Sequence, residues 1–117
     1  MSCVLVVDDD PTILKMYRIV LGSAGFNVIT ASDGEEGLMF VREYSPNVVV
    51  LDLQMPGMDG WTMFRQLSGW PHRPPVLICS SFKAEQSCEE MGAEGSLAKP
   101  FDPVVLVDKV EHLIGVS

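Results

Sequence analysis

Apolar residues along the chain fall into two alternating patterns, short continuous runs and runs that repeat every three or four positions. The short runs are rich in β-branched residues, which predicts strands buried on both faces of a sheet. They lie at residues 4–7, 26–30, 48–51, 76–79 and 97–99. The repeating runs predict helices, which lie at residues 35–44, 61–67 and 83–91, from Pro11 to Gly22 and from Pro103 to about Gly115.

The helical spacing also predicts which side chains face the core. They are Ile13, Met16, Val20 and Ala24 in the first helix, Leu38 and Val41 in the second, and Leu106, Val110 and Leu113 in the last. Cys3 and Cys79 lie in apolar runs, which predicts reduced core thiols. Asp10 and Asp102 each precede a proline and are predicted helix caps.

A strand followed by a helix, five times over, predicts an α/β fold with a parallel sheet and helices on both faces. The 117 residues have the length of one domain and show no internal repeat, so residues 1–117 are expected to form a single domain.

The net charge and the lengths of the apolar runs argue against some classes of function. A net charge of −8 argues against binding nucleic acid through a basic face. No apolar run approaches the roughly 18 residues of a membrane span, and the first residues lack a basic leader, which favours the cytoplasm. The three cysteines have neither disulfide nor zinc spacing.

Polar residues follow four of the predicted strands. They are Asp8 and Asp9 after the first strand, Asp52 after the third, Ser80 after the fourth and Lys99 at the fifth. The carboxyl ends of parallel strands meet at one edge of a sheet, where ligands bind. We therefore expect three carboxylates, a hydroxyl and an ammonium group in one crevice.

These residue types suit phosphoryl transfer. Clustered carboxylates without Cys or His favour a hard cation such as Mg²⁺ (or Mn²⁺). A carboxylate can attack phosphorus and form an aspartyl phosphate, while a cation and Lys99 supply positive charge. Each residue alone has a simpler interpretation: a helix cap for Asp8 to Asp10, a turn for Asp52, a cap for Ser80 and a solvated surface for Lys99. The four strand ends together favour the functional interpretation.

The motifs that contain these residues resemble the response-regulator receiver family from end to end. The matching stretches are residues 4–11, 50–60, 79–81 and 97–101. The resemblance implies a flavodoxin-like fold with strand order 2-1-3-4-5. It also implies a signalling phosphoacceptor rather than an enzyme, one that assists its own phosphotransfer and autodephosphorylation. The implied partners are a sensor histidine kinase or a histidine phosphotransfer protein, and an unknown downstream partner.

The resemblance assigns a role to each site residue. Asp52 accepts the phosphoryl group. Asp9 binds Mg²⁺ directly, Asp8 acts largely through water, and the backbone carbonyl of Gln54 completes the ligands. Ser80 and Lys99 contact the phosphoryl group, and the Lys99–Pro100 bond is expected to be cis. Residues that tune the switch or the phosphoryl lifetime are Gln54, Ser81, Phe82 and Ser96, with Phe82 expected to shield the acyl phosphate from water.

Two departures from the family pattern concern the output. Ser96 stands where many receivers have an aromatic residue, so we expect a smaller response at the last strand. The segment from Ser80 to Gly92 is short by about one helical turn of ~3.6 residues, which predicts a short, mobile fourth helix. We therefore expect a monomer or a weak dimer rather than the family's usual dimer.

Three alternatives remain open. A flavodoxin has the same fold but needs a phosphate-binding loop, and Asp8 to Asp10 would repel phosphate. A haloacid-dehalogenase-type phosphatase has a second aspartate where this chain has Gln54. A pseudo-receiver that is never phosphorylated usually lacks part of the acidic pair, the acceptor or the lysine, and all of these are present.

Overall fold

The computed structural model describes residues 2–55 and 57–115; Met1, the last two residues and Pro56 of the predicted loop lie outside them. Ten elements alternate along the described chain. The strands are β1 (Cys3–Val7), β2 (Asn27–Ala31), β3 (Val48–Asp52), β4 (Val76–Ser80) and β5 (Gly95–Ala98). The helices are α1 (Pro11–Ser23), α2 (Gly34–Tyr44), α3 (Gly60–Leu67), α4 (Ala84–Met91) and α5 (Pro103–Ile114).

The strands form one parallel sheet in the order β2-β1-β3-β4-β5, which confirms the predicted topology. Successive side chains of a strand point to opposite faces, so the sheet has a core on each side. Helices α2, α3 and α4 cover one face, against Leu5, Leu51 and Ile78. Helices α1 and α5 cover the other, against Val6 and Leu77 among others. Burial on both faces explains why β1, β3 and β4 are continuous apolar runs.

The edge strands differ from the prediction in their bounds. β2 begins and ends one residue later than expected. β5 is Gly95–Ala98 rather than residues 97–99, because its pairing with β4 begins at Gly95, opposite Leu77. Gly95 and Ser96 carry no apolar signal. Only the neighbouring strand shows that they belong to the sheet.

Two predictions about the core are wrong. Ala24 is exposed because α1 ends at Ser23, which places Ala24 at the cap and outside the packed face. Cys3 is half-buried at the start of its strand, whereas Cys79 is fully buried as expected. The fully buried residues of α1 are instead Tyr17 and Leu21. The remaining predicted core positions of α1, α2 and α5 are buried or pack against the core.

Aspartates begin four of the five described helices. Asp10 and Asp102 cap α1 and α5 as predicted, and Asp33 and Asp59 cap α2 and α3. In each case the carboxylate accepts a backbone N–H of the first turn, an interaction worth about 1 kcal/mol. Part of the chain's acidity therefore stabilises helices. Within the described residues, α4 alone begins without a side-chain cap.

Helix α4 lies in one of the two places where the chain departs from the family pattern. It has eight residues, Ala84–Met91, in agreement with the predicted short helix. It begins after Lys83, whose backbone is left-handed at φ 51° and ψ 42°, and it ends at Gly92. Among the described residues, none of the helices combines the length and the apolar character that a membrane span requires.

An ion pair joins the amino ends of β4 and β5. The guanidinium of Arg73 donates two hydrogen bonds to the carboxylate of Glu94, at 2.8 and 2.9 Å, and lies 4.9 Å above the Phe64 ring. The backbone N–H of Val76 donates to the same carboxylate at 2.8 Å. Burial alone would raise the pKa of Glu94, but these hydrogen bonds outweigh it and hold the pKa below its usual value.

We expect Glu94→Gln to lower the free energy of unfolding by about 1 kcal/mol at pH 7, since water screens a side chain that is 35% exposed. A carboxyl with a depressed pKa stabilises the fold above its unfolded pKa and loses that contribution as the pH falls through the folded value. The difference between parent and variant should therefore be full above about pH 5 and shrink below about pH 4. Urea unfolding at several pH values measures it. Glu43→Gln, at an exposed position, is the control, and a difference independent of pH would contradict the assignment.

Candidate functional site

Four strand ends bring their polar side chains to one edge of the sheet, as the alternation of strands and helices predicts. Asp8 follows β1, Asp52 ends β3 and Ser80 ends β4. Lys99 follows β5, and its N–H donates to the carbonyl of Ser80 at 2.8 Å. The Lys99–Pro100 peptide bond is cis, as the resemblance implies. These four strands thus set the positions of groups that are far apart in sequence.

Lys99 connects the two buried carboxylates. Its Nζ lies 3.0 Å from Oδ2 of Asp8 and 3.2 Å from Oδ1 of Asp52. Asp8 and Asp52 are 2% and 5% exposed, so the lysine is the main compensation for two charges that have little contact with water. The other oxygen of Asp8 accepts the backbone N–H of Asp10 at 3.0 Å. These bonds fix the orientation of Asp8, while Lys99 contacts only the Oδ1 oxygen of Asp52.

Asp8, Asp9 and Asp52 form a cluster that fits a metal ion. Each offers a carboxylate oxygen, and these oxygens all lie within 4.8 Å of one another. Asp9 is exposed, whereas the other two are buried. Three hard oxygen donors, one of them open to water, are the donor set that Mg²⁺ or Mn²⁺ accepts. Zinc and copper favour sulfur and nitrogen ligands, so an all-oxygen set suits them less well.

The surroundings raise the pKa values of both Asp52 and Lys99. Burial raises the pKa of Asp52, and the charge of Asp8 adds to this effect. The ammonium group of Lys99 opposes the shift without overcoming it. For Lys99, burial alone would lower the pKa, but the hydrogen bond to Asp8 and the charge of Asp52 outweigh it and raise the pKa. Lys99 therefore keeps its proton at neutral pH, and Asp52 is a more basic carboxylate than an exposed aspartate.

Ser80 lies at the same edge of the sheet as Asp8, Asp52 and Lys99, but its hydroxyl makes no hydrogen bond to them. Its hydroxyl donates to the carbonyl oxygen of Phe82 at 3.0 Å and accepts the N–H of Phe82 at 3.2 Å. The simpler interpretation from the sequence, a local cap, therefore describes this conformation of Ser80. A contact with a phosphoryl group on Asp52 requires the hydroxyl to turn.

The side chains of the predicted tuning residues make no hydrogen bond to the three carboxylates or to Lys99 among the described contacts. Gln54 and Ser81 are exposed and joined by a hydrogen bond of 3.2 Å between their side chains. Phe82 is 65% exposed, which gives no support to shielding in this conformation. Ser96 is half-buried on β5, opposite Ile78. The structure thus brings together Asp8, Asp9, Asp52 and Lys99, and does not join the side chains of these four predicted tuning residues to them.

Tyr17 is a neighbour of the site that the sequence reasoning missed. It is 1% exposed, and its ring lies 5.8 Å from that of Phe101, which follows the Lys99–Pro100 bond. Burial raises its pKa far above the usual value, and the Cys79 thiol adds to the effect. Ile13, Tyr17 and Leu21 repeat every four residues, a signal that would have identified it.

Gly60 allows the chain to pass close behind Asp52. A methyl group added to Gly60 would collide with the backbone oxygen of Asp52 and would lie 2.7 Å from Cα of Leu53. Both neighbours are backbone atoms, so neither can turn aside. The start of α3 therefore requires glycine at this position.

We expect Gly60→Ala to lower the free energy of unfolding by about 3 kcal/mol, at the upper end of the usual cost of overpacking. Urea unfolding measures it. Gly22→Ala in α1 is the matched control. Beyond the backbone of its own helix, the added methyl group meets no described atom within 4 Å, and the change should stabilise by about 0.5–1 kcal/mol. Equal effects of the two substitutions would show that the close approach to Asp52 is unimportant.

Comparison with known proteins agrees with this geometry. The family model for the response regulator receiver domain matches residues 4–111. The transcriptional regulatory protein KdpE of Mycobacterium tuberculosis is 38% identical over 103 residues, which cover 86% of this chain and 46% of KdpE. The DNA-binding response regulator MtrA of Mycolicibacterium smegmatis is 38% identical over 109 residues, which cover 92% of this chain and 48% of MtrA. The chain thus spans about half the length of these curated relatives.

A solved structure extends the likeness to the fold. The receiver domain of the Francisella response regulator 1452 superposes with a TM-score of 0.91 at 29% identity, covering 98% of both chains. The sequence match, the strand order and the cluster at the strand ends all point to one family. The chain belongs to the response-regulator receiver family of two-component signalling proteins.

Proposed function

We propose that Asp52 accepts a phosphoryl group from a phosphohistidine, on a sensor histidine kinase or a histidine phosphotransfer protein. One observation carries the proposal: the ammonium group of Lys99 lies 3.2 Å from Asp52, inside a cluster of three carboxylates. This arrangement combines a nucleophile, a fixed positive charge and oxygen ligands for a cation. Phosphoryl transfer needs all three.

The transfer is a displacement at phosphorus. A carboxylate oxygen of Asp52 attacks the phosphorus atom, the P–N bond to the donor imidazole breaks, and its electron pair stays on the imidazole nitrogen. Lys99 holds positive charge beside the attacked group throughout, because its neighbours keep it protonated.

The acidic cluster is the proposed site for Mg²⁺ or Mn²⁺. We assign Asp9 as a direct ligand, Asp8 as a ligand acting largely through water, and Asp52 and the backbone carbonyl of Gln54 as the other protein ligands. When bound, the cation supplies neutralising charge to the phosphoryl oxygens. Asp9 suits direct coordination because it is exposed, whereas Asp8 is already bonded to Lys99 and the backbone of Asp10.

The remaining site residues act after transfer. Ser80 turns its hydroxyl to a phosphoryl oxygen, and Lys99 pairs with another. The chain then assists hydrolysis of its own acyl phosphate, and the side chains of Gln54, Ser81 and Phe82 set the access of water. This self-hydrolysis ends the signal and makes the chain a timed acceptor rather than an enzyme with a separate substrate.

The signalling context follows from this role. We assign residues 1–117 to a single receiver domain that acts in the cytoplasm, meets a phosphohistidine donor and changes its contacts with an unidentified downstream partner. The net charge of −8 supports an output through protein contacts rather than direct binding of nucleic acid by this chain. The short α4 and the small Ser96 support a monomer or a weak dimer.

Intact mass spectrometry tests the proposal. Incubation of the chain with acetyl phosphate and Mg²⁺ should add the mass of one phosphoryl group, and EDTA should prevent the addition. The modified protein should return to its original mass on standing, because hydrolysis competes. An unchanged mass at saturating acetyl phosphate would overturn the assignment of Asp52.

A further inference from the structure

A groove lies at the opposite edge of the sheet from Asp52. It has a volume of about 600 Å³, within the range of protein binding pockets. The end of α2 and the start of its connection to β3 line one side, and residues 70–74, which lead from α3 to β4, line the other. The whole of β3, five residues at about 3.3 Å each, separates this edge from Asp52. The groove is therefore distinct from the acidic cluster.

The groove is basic, whereas the chain as a whole is acidic. The chain has 16 acidic residues and a net charge of −8. Among the described residues that line the groove there is no Asp or Glu, while Arg42, His72 and Arg73 are all present. An anionic group is repelled by most of this chain but meets positive charge here. The groove is thus complementary in charge to a carboxylate.

Arg42 is held in position with its hydrogen-bond donors available. Its guanidinium carbon lies 4.4 Å from the centroid of the Trp70 ring, a cation–π contact. This stacking uses the face of the guanidinium, whereas its N–H groups lie in the plane and point outward. No N–H of Arg42 has a hydrogen bond or an ion pair within the part of the chain that the structure describes. Such a planar fork binds a carboxylate through two parallel hydrogen bonds.

The other wall of the groove is rigid. Arg73 is already bonded to Glu94, and it also donates to the carbonyl oxygen of Pro74 at 3.1 Å, so it shapes the wall rather than offering a second open fork. The backbone of His72 is left-handed at φ 59°, which is uncommon for a residue other than glycine. Pro71 and Pro74 have their φ angles fixed by their rings. A groove with a rigid wall loses little conformational entropy when it binds a partner.

We infer that this groove binds a segment of a partner protein that presents an Asp or Glu side chain next to an apolar one. The carboxylate pairs with the N–H groups of Arg42, and the apolar side chain packs on the rings of Pro71 and Pro74. A nucleic acid fits less well, because one open guanidinium does not neutralise a run of phosphates. The site adds a docking surface that leaves the edge at Asp52 accessible, and it does not depend on the proposed function.

Selection from a random peptide library displayed on phage tests the inference. The folded chain should enrich peptides that carry an Asp or Glu beside an apolar residue. The enriched peptide, labelled with fluorescein, should bind Arg42→Gln about ten-fold more weakly than the parent by fluorescence anisotropy, because charge-assisted hydrogen bonds are lost. Arg18→Gln is the matched control, since it makes the same change at an exposed position of α1, on the other face of the sheet. It should bind like the parent.

A change in the peptide provides a second measurement that leaves the chain intact. Replacing the acidic residue of the peptide with its amide should weaken binding to the parent about ten-fold and have little further effect on Arg42→Gln, because the two groups form one contact. The inference is overturned if no peptide is enriched, if the enriched peptides lack carboxylates, or if Arg42→Gln binds with parental affinity. Tighter binding of a labelled oligothymidylate than of the peptide, lost in Arg42→Gln, would also overturn it and assign the groove to nucleic acid.

Discussion

Asp52→Asn should abolish the phosphoryl mass gain from acetyl phosphate. An amide nitrogen replaces one carboxylate oxygen, and the neutral amide is not a nucleophile toward phosphorus. The substitution preserves shape, so the fold should remain. Burial and the charge of Asp8 already penalise the ionised carboxyl of Asp52. In the absence of Mg²⁺, the variant should therefore unfold at the same urea concentration as the parent or a higher one.

The control for this experiment is Asp108→Asn, which removes an exposed carboxylate of α5. It should gain the phosphoryl mass at the parental rate. Peptide mapping after trypsin digestion of the modified parent should locate the label within the segment that contains Asp52. A phosphoryl group on Asp52→Asn at the parental rate would mean that another residue is the acceptor.

Lys99→Met should slow phosphorylation of Asp52 by acetyl phosphate about 10²–10³-fold, the usual effect of removing one fixed charge or donor from a transition state. Methionine keeps the length of the side chain but not the charge. The loss should appear in the rate at saturating acetyl phosphate, because Lys99 stabilises charge that develops during transfer. The time course of intact mass gives this rate.

Lys15→Met is the matched control, since Lys15 is an exposed lysine of α1. It should leave the rate unchanged, which separates the position of Lys99 from the general effect of net charge. Circular dichroism checks that Lys99→Met is folded, because it leaves Asp8 and Asp52 without their cation. A folded Lys99→Met protein with a rate within a few-fold of the parent would exclude a direct role in transfer.

The fold was predictable to the extent that burial leaves a pattern in the chain. β1, β3 and β4 are buried on both faces, so their apolar runs are uninterrupted and their positions were correct to within one residue. β5 lies at the edge of the sheet, and its first residues, Gly95 and Ser96, have no apolar pattern. Its bounds depend on hydrogen bonds with β4, which are contacts distant in sequence.

The site was predictable as a set of residues but not as a set of contacts. The rule that parallel strands end at one edge correctly predicted that Asp8, Asp52 and Lys99 meet. The rule does not say which carboxylate Lys99 contacts. The structure shows that the lysine contacts both Asp8 and Asp52. Nor does the rule give the direction of the Ser80 hydroxyl, which depends on a turn of three residues after β4. Rotation about a single bond leaves no trace in the sequence pattern.

The sequence by itself determined the architecture, the acidic cluster and the departures at Ser96 and α4. The first two follow from residue type and spacing, which the chain carries directly, whereas the departures rest on the resemblance to the family. Only the tertiary structure revealed that Gly60 must lack a side chain and that Phe82 stands beside an open cavity. Each of these depends on how closely two distant segments approach. That distance is set by the packing of the whole sheet and its helices, and no local pattern contains it.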